Sequence, residues 1–487
     1  MKEFIKKHNN SFFILSVFLL TIIKGWFTIL TPYDNLWNFG NIFKLSTGKI
    51  LYKDVNAVAT PLFYQLGKTI YQLFSGNYIV FLLFGALLCT TMYFLIYLIL
   101  KKIKLKKRLS LFYTILLIGI TINTVPYSAN YVILSFIFFE LGVLLFLSNE
   151  KNNIVLHSII IVLILLTYQK LAAGYFITFI IIQAFTNKEK STAIKNIIKT
   201  TIISTCITLL LIAYYYLNGT LQYIYDLCIA GLSDFTNNTN FSFIFGNIIV
   251  ILIPIGLLLW LIKNSKINKK TAMILLASAI GSNFIAIPIA NDYHVRICSI
   301  FWSILLFYEL SYLLKDILKM KKINNVITIS NIIFIIVLFI KPIDIIDINN
   351  IYIQKEGIFK GSIVTRHMNE SIKNVKNYLL QKQKEDKNIK ILSISAMYYT
   401  LELNIDNWYF DMPLNGNLGK NGNQNLIEQI KNMPNNTIFL VENNERTAFK
   451  QYQYTTKVRD FVNSNYIKID EIENFDVYEI KNWWKEE

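Results

Sequence analysis

The sequence contains repeated apolar runs whose length suits a lipid bilayer. An α-helix rises about 1.5 Å per residue, so about 20 apolar residues are needed to cross the hydrocarbon core of a membrane. Eleven runs meet this requirement, at approximately residues 11–31, 77–100, 109–124, 129–148, 154–168, 171–187, 200–217, 243–262, 271–290, 295–314 and 323–341. Charged residues make up only 16% of the chain, compared with about 25% in a typical soluble domain. We therefore predict a polytopic α-helical membrane protein.

The positive charge of the chain is concentrated in the part that carries these runs. Residues 1–341 contain 30 Lys and Arg against 11 Asp and Glu, a net charge of +19. Residues 342–487 contain 18 against 20, a net charge of −2. A basic excess confined to the membrane part argues against nucleic acid as a partner and indicates a topology signal instead.

The short loops that hold these cations predict the orientation. With the N-terminus in the cytosol, 22 of the 30 Lys and Arg fall on the cytosolic side. They lie at residues 2–7, 101–108, 151, 188–199, 263–270 and 315–322. Since cytosolic loops are enriched in Lys and Arg, the inverted topology is disfavoured. We expect a multi-pass protein of the cell membrane with a cytoplasmic N-terminus and, after eleven spans, an extracytoplasmic C-terminal region.

The C-terminal residues 342–487 have the pattern of a small soluble α/β domain. Strand-like and helix-like stretches alternate there, and no nucleotide-binding fingerprint or catalytic triad spacing is present. The strand-like stretches are 389–395, 437–441 and 476–480, and the helix-like ones are 370–382 and 425–432. The sequence thus predicts a transmembrane domain, residues 1–341, followed by an extracytoplasmic α/β domain, residues 342–487.

Residues 32–76, between the first two predicted spans, form a loop much longer than a simple connection. Loops beyond about 12–15 residues in compact folds are usually functional or disordered. Residues 36–45 have the apolar pattern of an amphipathic helix, with Trp37 suited to the headgroup level of a bilayer. Residues 60–73 begin with Thr-Pro, which is typical of a helix start. We expect both helices to lie in the membrane interface.

Two carboxylates mark this loop, Asp34 directly after the first span and Asp54 before the second interfacial helix. A pair of acids at the outer surface can supply a general base and an electrostatic or metal-binding partner. Helix N-capping or simple solvation is the structural alternative for this pair, and Asp34, which precedes residues 35–37, is a plausible cap.

Few cations are predicted on the outer side. Lys170 stands in the turn between the fifth and sixth spans, His294 and Arg296 lie near the start of the tenth, and Lys24 lies within the first run. Positive charge outside runs against the orientation signal, and binding a lipid phosphate is one reason to place it there. Snorkelling to lipid headgroups is the alternative and needs no substrate. His294 alone is more typical of a structural hydrogen-bonding group.

Several of these outer segments resemble a known family. Residues 31–37 (TPYDNLW), 48–54 (GKILYKD) and 59–64 (ATPLFY) together resemble the first outer loop of bacterial GT-C-fold glycosyltransferases of the aminoarabinose-transferase and protein-mannosyltransferase-like type. Residues 168–174 (YQKLAAG) and 292–294 (DYH) are similar to later outer turns of that family. The sequence departs from the pattern at Asn35, where many members have Glu in an Asp-Glu pair.

The resemblance implies a GT-C-like fold and the inverting transfer of a sugar from a polyprenyl-phosphate carrier to a glycan, lipid or protein acceptor at the outer membrane face. By this analogy Asp34 is the catalytic base, Asp54 a supporting acid, and Lys170 with His294 the donor-phosphate contacts. Arg296 and Lys24 are further candidates for the phosphate. Whether a divalent cation participates stays open, because the two Asp have no histidine nearby in sequence and Asn35 is a weak ligand.

Three other functions are compatible with the sequence. A lipid-linked oligosaccharide flippase or transporter would need a path through the membrane with paired charges in mid-bilayer, and it often shows inverted repeats. The sequence instead concentrates polar residues on the predicted outer side and shows no internal repeat. A polysaccharide polymerase or ligase would use similar lipid-linked donors, but we would expect its large outer loop late in the membrane part. A non-catalytic assembly protein could use the α/β domain equally well.

Overall fold

The computed structural model describes residues 2–31, 34–74, 76–121, 128–148, 150, 152–187, 189–231, 248–264, 267–287, 292–314, 321–344, 348–407, 418–443, 445–446 and 456–480. Of the residues singled out in the sequence, Pro32, Tyr33, Lys151, Lys188, Lys266, Lys315 and Lys319 lie outside these ranges. The chain forms two compact units. The helical unit comprises Met1–Phe27, Leu82–Tyr215 and Asn238–Ile346, and the mixed unit comprises Thr28–Phe81, Tyr216–Asn237 and Asp347–Glu487.

Helices account for most of the described residues, and the strands lie near the C-terminus. In chain order the helices are α1 (Lys2–Trp26), α2 (Asp34–Ser46), α3 (Leu62–Phe74), α4 (Tyr78–Lys102), α5 (Lys107–Thr121), α6 (Tyr131–Leu147), α7 (Ile154–Leu165), α8 (Gln169–Thr186), α9 (Lys190–Leu217), α10 (Leu221–Tyr225), α11 (Ile248–Lys263), α12 (Lys269–Ser282), α13 (Asp292–Leu313), α14 (Lys321–Asp344), α15 (Arg366–Lys384), α16 (Met397–Thr400), α17 (Gly422–Lys431) and α18 (Thr456–Asn465). The strands are β1 (Ile351–Ile353), β2 (Ile363–Thr365), β3 (Asn388–Leu392), β4 (Thr437–Glu442), β5 (Tyr466–Ile472) and β6 (Phe475–Ile480). A mainly helical chain with a small C-terminal sheet region is therefore confirmed.

Every predicted apolar run overlaps a helix, but the helices differ in length. Among the described residues, α4, α8, α9 and α13 are long and apolar enough to cross a membrane, and five further apolar helical stretches are shorter. One of the shorter helices, α6, begins after a polar residue inside its predicted run. This residue is Asn130, which has extended backbone and whose side chain accepts a hydrogen bond from the Val132 N–H at 2.8 Å.

Helix α9 has an apolar exposed face and a mostly polar buried face. Its buried residues are Ala193, Asn196, Thr200 and Ser204, which recur every three to four positions and so share one face. The Asn196 amide donates to Gln183 Oε1 at 3.0 Å. On the exposed face, Leu209 and Leu210 are 57% and 72% exposed. A helix that buries small polar residues and exposes leucines suits a hydrocarbon surrounding better than water.

Helices α8 and α12 approach each other closely at two glycines. A Cβ atom on Gly174 would collide with the Gly281 carbonyl oxygen, and a Cβ atom on Gly281 would collide with the Thr178 hydroxyl. The same hydroxyl donates to the Ala277 carbonyl at 3.1 Å. Only glycine permits this backbone approach, which fixes the start of α8 beside the end of α12.

The mixed unit contains a four-stranded sheet in the order β3-β4-β6-β5, in which β3 and β4 are parallel and the other pairs antiparallel. Strands β3, β4 and β6 and the helices α15 and α17 overlap the predicted α/β elements, whereas β5 was not predicted. The residues that follow α1 pack with these C-terminal residues. The Leu30 N–H donates to the Ile363 carbonyl at 2.8 Å, and the Tyr398 hydroxyl donates to the Leu30 carbonyl at 2.5 Å.

Helices α2 and α3 lie where the sequence predicted helices, but α2 does not have an exposed apolar face. Trp37 is only 2% exposed, because α2 packs against α3 on one side and against Met397 and Leu401 on another, at Gly40. Trp37 is therefore covered by protein rather than by lipid headgroups, and its depth in a membrane stays a prediction. Helix α3 does have an exposed apolar face, on which Leu73 is 72% exposed and Phe74 is 68% exposed.

Candidate functional site

One group of predicted site residues lies at the starts of helices in the helical unit. Tyr168 precedes α8 with extended backbone, which places Lys170 in the first helical turn. The Lys170 ammonium lies 5.7 Å from the centre of the Tyr168 ring, within range of a cation–π interaction. The Tyr168 hydroxyl donates to the Ile285 carbonyl at 3.4 Å, after the end of α12. These contacts hold the Lys170 side chain beside an aromatic ring at the end of the bundle.

The start of α13 lies near the start of α8. Lys170 acts electrostatically on His294, so these two predicted phosphate contacts lie near each other. The Tyr293 hydroxyl donates to Asn130 Oδ1 at 3.2 Å, at the start of α6. The Tyr131 and Tyr168 rings are 5.7 Å apart. We call Asn130, Tyr131, Tyr168, Lys170, Tyr293 and His294 the tyrosine–lysine cluster.

The cluster combines a cation with the starts of three helices. The first turns of α6, α8 and α13 each carry the positive end of a helix dipole. Lys170 adds a positive charge beside the positive ends of these dipoles, which is electrostatically unfavourable. An anion at this place would offset both, so the arrangement is suited to a phosphate group.

The other two predicted cations are placed differently. Arg296 is half buried in α13, two residues after His294, and side chains two positions apart on a helix do not share a face. Lys24 lies half buried in the last turn of α1. The structure thus brings Lys170 and His294 together and puts Arg296 on a different face of α13 from His294.

In the mixed unit, Asp34 begins a polar face of α2. Asp34 is half buried at the first position of the helix, and Asn38 and Asn41, four and seven residues later, are fully buried on the same face. The Tyr64 hydroxyl of α3 donates to Asn38 Oδ1 at 3.3 Å. Burial, and to a lesser extent the charge of Asp34, raise the pKa of Tyr64, so this hydroxyl stays protonated.

Several buried polar atoms on this face, including Asn41 Oδ1, have no hydrogen-bond partner in the described part of the chain. Among the described residues, the indole N–H of Trp37 and the amide nitrogen of Asn38 are buried without a hydrogen-bond partner. Both follow Asp34 by about one helical turn. Buried donors without acceptors usually indicate a bound water or a polar ligand.

Asp54 is exposed and closes a tight turn. Its carboxylate accepts the Ile50 N–H at 2.8 Å, and its own N–H donates to the Ile50 carbonyl at 2.8 Å. Tyr52, inside this turn, has a φ of 68°, a left-handed conformation that such turns require. Asp54 therefore has a structural contact of its own. Among the described residues, no three His, Cys, Asp or Glu side chains come together as a metal site needs.

The sequence singled out Asp34 and Lys170 as site residues, whereas Tyr64 and Tyr293 stood only within the resembling segments and Asn38 was not singled out. Tyr64, Asn38 and Tyr293 contribute the hydrogen bonds of the two sites. The spacing of Asp34, Asn38 and Asn41 along α2 is a signal that could have been found, whereas the Tyr293–Asn130 contact joins distant segments. No protein-family model matches this chain, and no curated protein matches its sequence.

Proposed function

We propose that this protein is an integral membrane glycosyltransferase with a GT-C-like arrangement of about eleven transmembrane helices. It moves a sugar from a polyprenyl-phosphate carrier to an acceptor hydroxyl on the outer face of the membrane, with inversion at the anomeric carbon. The observation that supports this most is the tyrosine–lysine cluster, where Lys170 and His294, far apart in sequence, lie near each other at the starts of α8 and α13.

In the proposed reaction, the acceptor oxygen attacks the anomeric carbon while the bond from that carbon to the phosphate oxygen breaks. The electron pair of the broken bond remains on the phosphate, whose negative charge Lys170 and the helix starts stabilise. Asp34 accepts the proton of the acceptor hydroxyl. The products are a glycosylated acceptor and polyprenyl phosphate. We assign Asp54 the role of stabilising the segment of residues 32–76, which also contains Asp34.

Analysis of the lipids of a deletion strain tests this proposal. We expect mass spectrometry to find an accumulated polyprenyl-phosphate sugar, which complementation with the wild-type gene removes. Periodate, which does not cross membranes, should oxidise that sugar in intact cells, because its transfer occurs outside. Accumulation that is protected from periodate would indicate a flippase, and an unchanged lipid profile would contradict the transferase proposal.

The proposed topology makes a separate prediction. In a Cys206→Ser background, Glu385→Cys should react with a membrane-impermeant maleimide in intact cells, and Lys104→Cys only after the membrane is opened. Both positions are exposed, and Cys206 is the exposed native cysteine among the free cysteines. The charge distribution requires this pattern. Labelling of Lys104→Cys but not Glu385→Cys in intact cells would exclude an outer α/β domain.

A further inference from the structure

Helix α2 carries polar side chains along one buried face. Trp37, Asn38 and Asn41 lie three, four and seven residues after Asp34, so the four side chains share that face. Trp37 is 2% exposed, and Asn38 and Asn41 are fully buried. Asp34 at the first position of the helix is only half buried. The polar face of α2 therefore runs from a partly accessible end into the interior of the mixed unit.

The hydrogen bonds on this face do not use all of its polar atoms. The side-chain amide of Asn41 donates to the Asn56 carbonyl at 3.2 Å, and the Tyr64 hydroxyl donates to Asn38 Oδ1 at 3.3 Å. Within the described ranges, the Trp37 indole N–H, the Asn38 amide nitrogen and Asn41 Oδ1 have no hydrogen-bond partner. Leaving buried polar atoms unpaired is costly, so three of them on one face indicate a bound molecule that pairs with them.

The chain segment next to Asn41 is held in place by side chains. Its carbonyl groups accept hydrogen bonds, at residue 56 from Asn41, at residue 57 from the Cys228 thiol at 3.7 Å, and at residue 59 from the Tyr52 hydroxyl at 2.8 Å. These three side chains come from separate parts of the mixed unit. The polar face of α2 thus lies beside a fixed wall.

The unpartnered atoms comprise both donors and an acceptor, and this limits the chemistry of the ligand. Trp37 and Asn38 donate, whereas Asn41 Oδ1 accepts. An ionised phosphate only accepts hydrogen bonds and an ammonium group only donates them, so neither pairs with all three atoms. A hydroxyl does both, and the hydroxyl groups on neighbouring carbons of a sugar present donors and acceptors side by side. Residues 35–43 contain no charged side chain, which suits an uncharged sugar.

We propose that the polar face of α2 binds an uncharged saccharide, and that this saccharide is the acceptor of the transfer reaction. The second part rests on the proposed function, in which Asp34 at the start of the same face takes the proton of the acceptor hydroxyl. The proposal narrows the acceptor to a glycan. A serine or threonine side chain of a protein acceptor would bring one hydroxyl, which cannot pair with atoms spread over a full helical turn.

Saccharide binding can be measured without any lipid-linked donor, by saturation-transfer NMR on the full-length protein in phosphatidylcholine nanodiscs. The probes are the methyl glycosides of glucose, galactose, mannose and N-acetylglucosamine, with a serine-containing tripeptide for comparison. We expect at least one glycoside to bind and the tripeptide not to bind. Trp37→Phe keeps an aromatic ring but removes the indole N–H, so it should weaken glycoside binding by about two- to ten-fold, the effect of one neutral hydrogen bond.

Trp302→Phe is the matched control. Trp302 is also 2% exposed, but its indole N–H donates to Asn283 Oδ1 at 3.0 Å. This variant loses a structural hydrogen bond and should bind the glycosides as the wild type does. Asn41→Leu removes the unpartnered acceptor and should weaken the same glycosides. Thermal unfolding of each variant, measured in the same nanodiscs, shows that it is folded.

The outcomes separate this proposal from the proposed function. If the wild type binds none of the glycosides, or if Trp37→Phe and Asn41→Leu bind them as Trp302→Phe does, the saccharide proposal is overturned and a bound water is the occupant of the face. Glycoside binding that depends on Trp37 and Asn41, together with an unchanged lipid profile in the deletion strain, would support the saccharide site and contradict only the transferase proposal.

Discussion

Replacing Asp34 by Asn is expected to lower the rate of sugar transfer by about 10²- to 10⁴-fold, the usual contribution of a general base. The amide has the size of the carboxylate but cannot accept the acceptor proton. Asn is also as good a residue as Asp at the start of a helix, so α2 and the thermal stability of the protein should change little. The measurement is transfer by purified protein in nanodiscs, with kcat and KM for the donor determined separately, and only kcat should fall.

Asp54→Asn is the matched control for this variant. The side-chain oxygen of the introduced amide could still accept the Ile50 N–H, so the turn at residues 50–54 should persist. We expect its transfer rate to stay within a few-fold of the wild type. If Asp34→Asn transfers sugar at the wild-type rate, Asp34 only begins the helix, and a large loss in Asp54→Asn would then identify Asp54 as the base.

The second large effect is expected at Lys170. A charge-assisted hydrogen bond to a phosphate contributes about 1.5–3 kcal/mol, so Lys170→Gln should weaken binding of a polyprenyl-phosphate analogue by about ten- to a hundred-fold. Lys170→Arg keeps the charge but changes its reach and geometry, and a phosphate site should respond to that change. Lys195→Gln, an exposed lysine on α9, is the control and should bind as the wild type does.

Contact with lipid headgroups alone predicts a different result for Lys170. Snorkelling does not depend on guanidinium or ammonium geometry, so Lys170→Arg would then behave as the wild type. Analogue affinities of Lys170→Gln and Lys170→Arg within about two-fold of the wild type would exclude Lys170 as a phosphate contact.

The elements of this protein were largely predictable, because they follow from local patterns. Apolar length marked the positions of the long helices, and β-branched runs at residues 389–395 and 437–441 marked two strands. The spacing of Asp34, Asn38 and Asn41 also lies within one helix and is visible in the sequence.

The contacts between elements were not predictable in the same way. The proximity of Lys170 and His294 depends on how α8, α12 and α13 pack, which includes the glycine contact between α8 and α12. The burial of α2 depends in part on Met397 and Leu401, which contact it at Gly40. An amphipathic pattern indicates that one face is covered but not whether lipid or protein covers it.

The mixed unit is built from chain segments that are far apart in sequence, and this has a consequence for biosynthesis. Its chain segments are separated by most of the helical bundle, and Leu30 is held by Ile363 and by Tyr398, which are made long after it. Residues 28–81 therefore lack these partners until Ile363 and Tyr398 have been synthesised. Contacts of such high sequence separation form slowly. Chains that end prematurely would expose the partner surface of α2, and quality-control proteases should remove them.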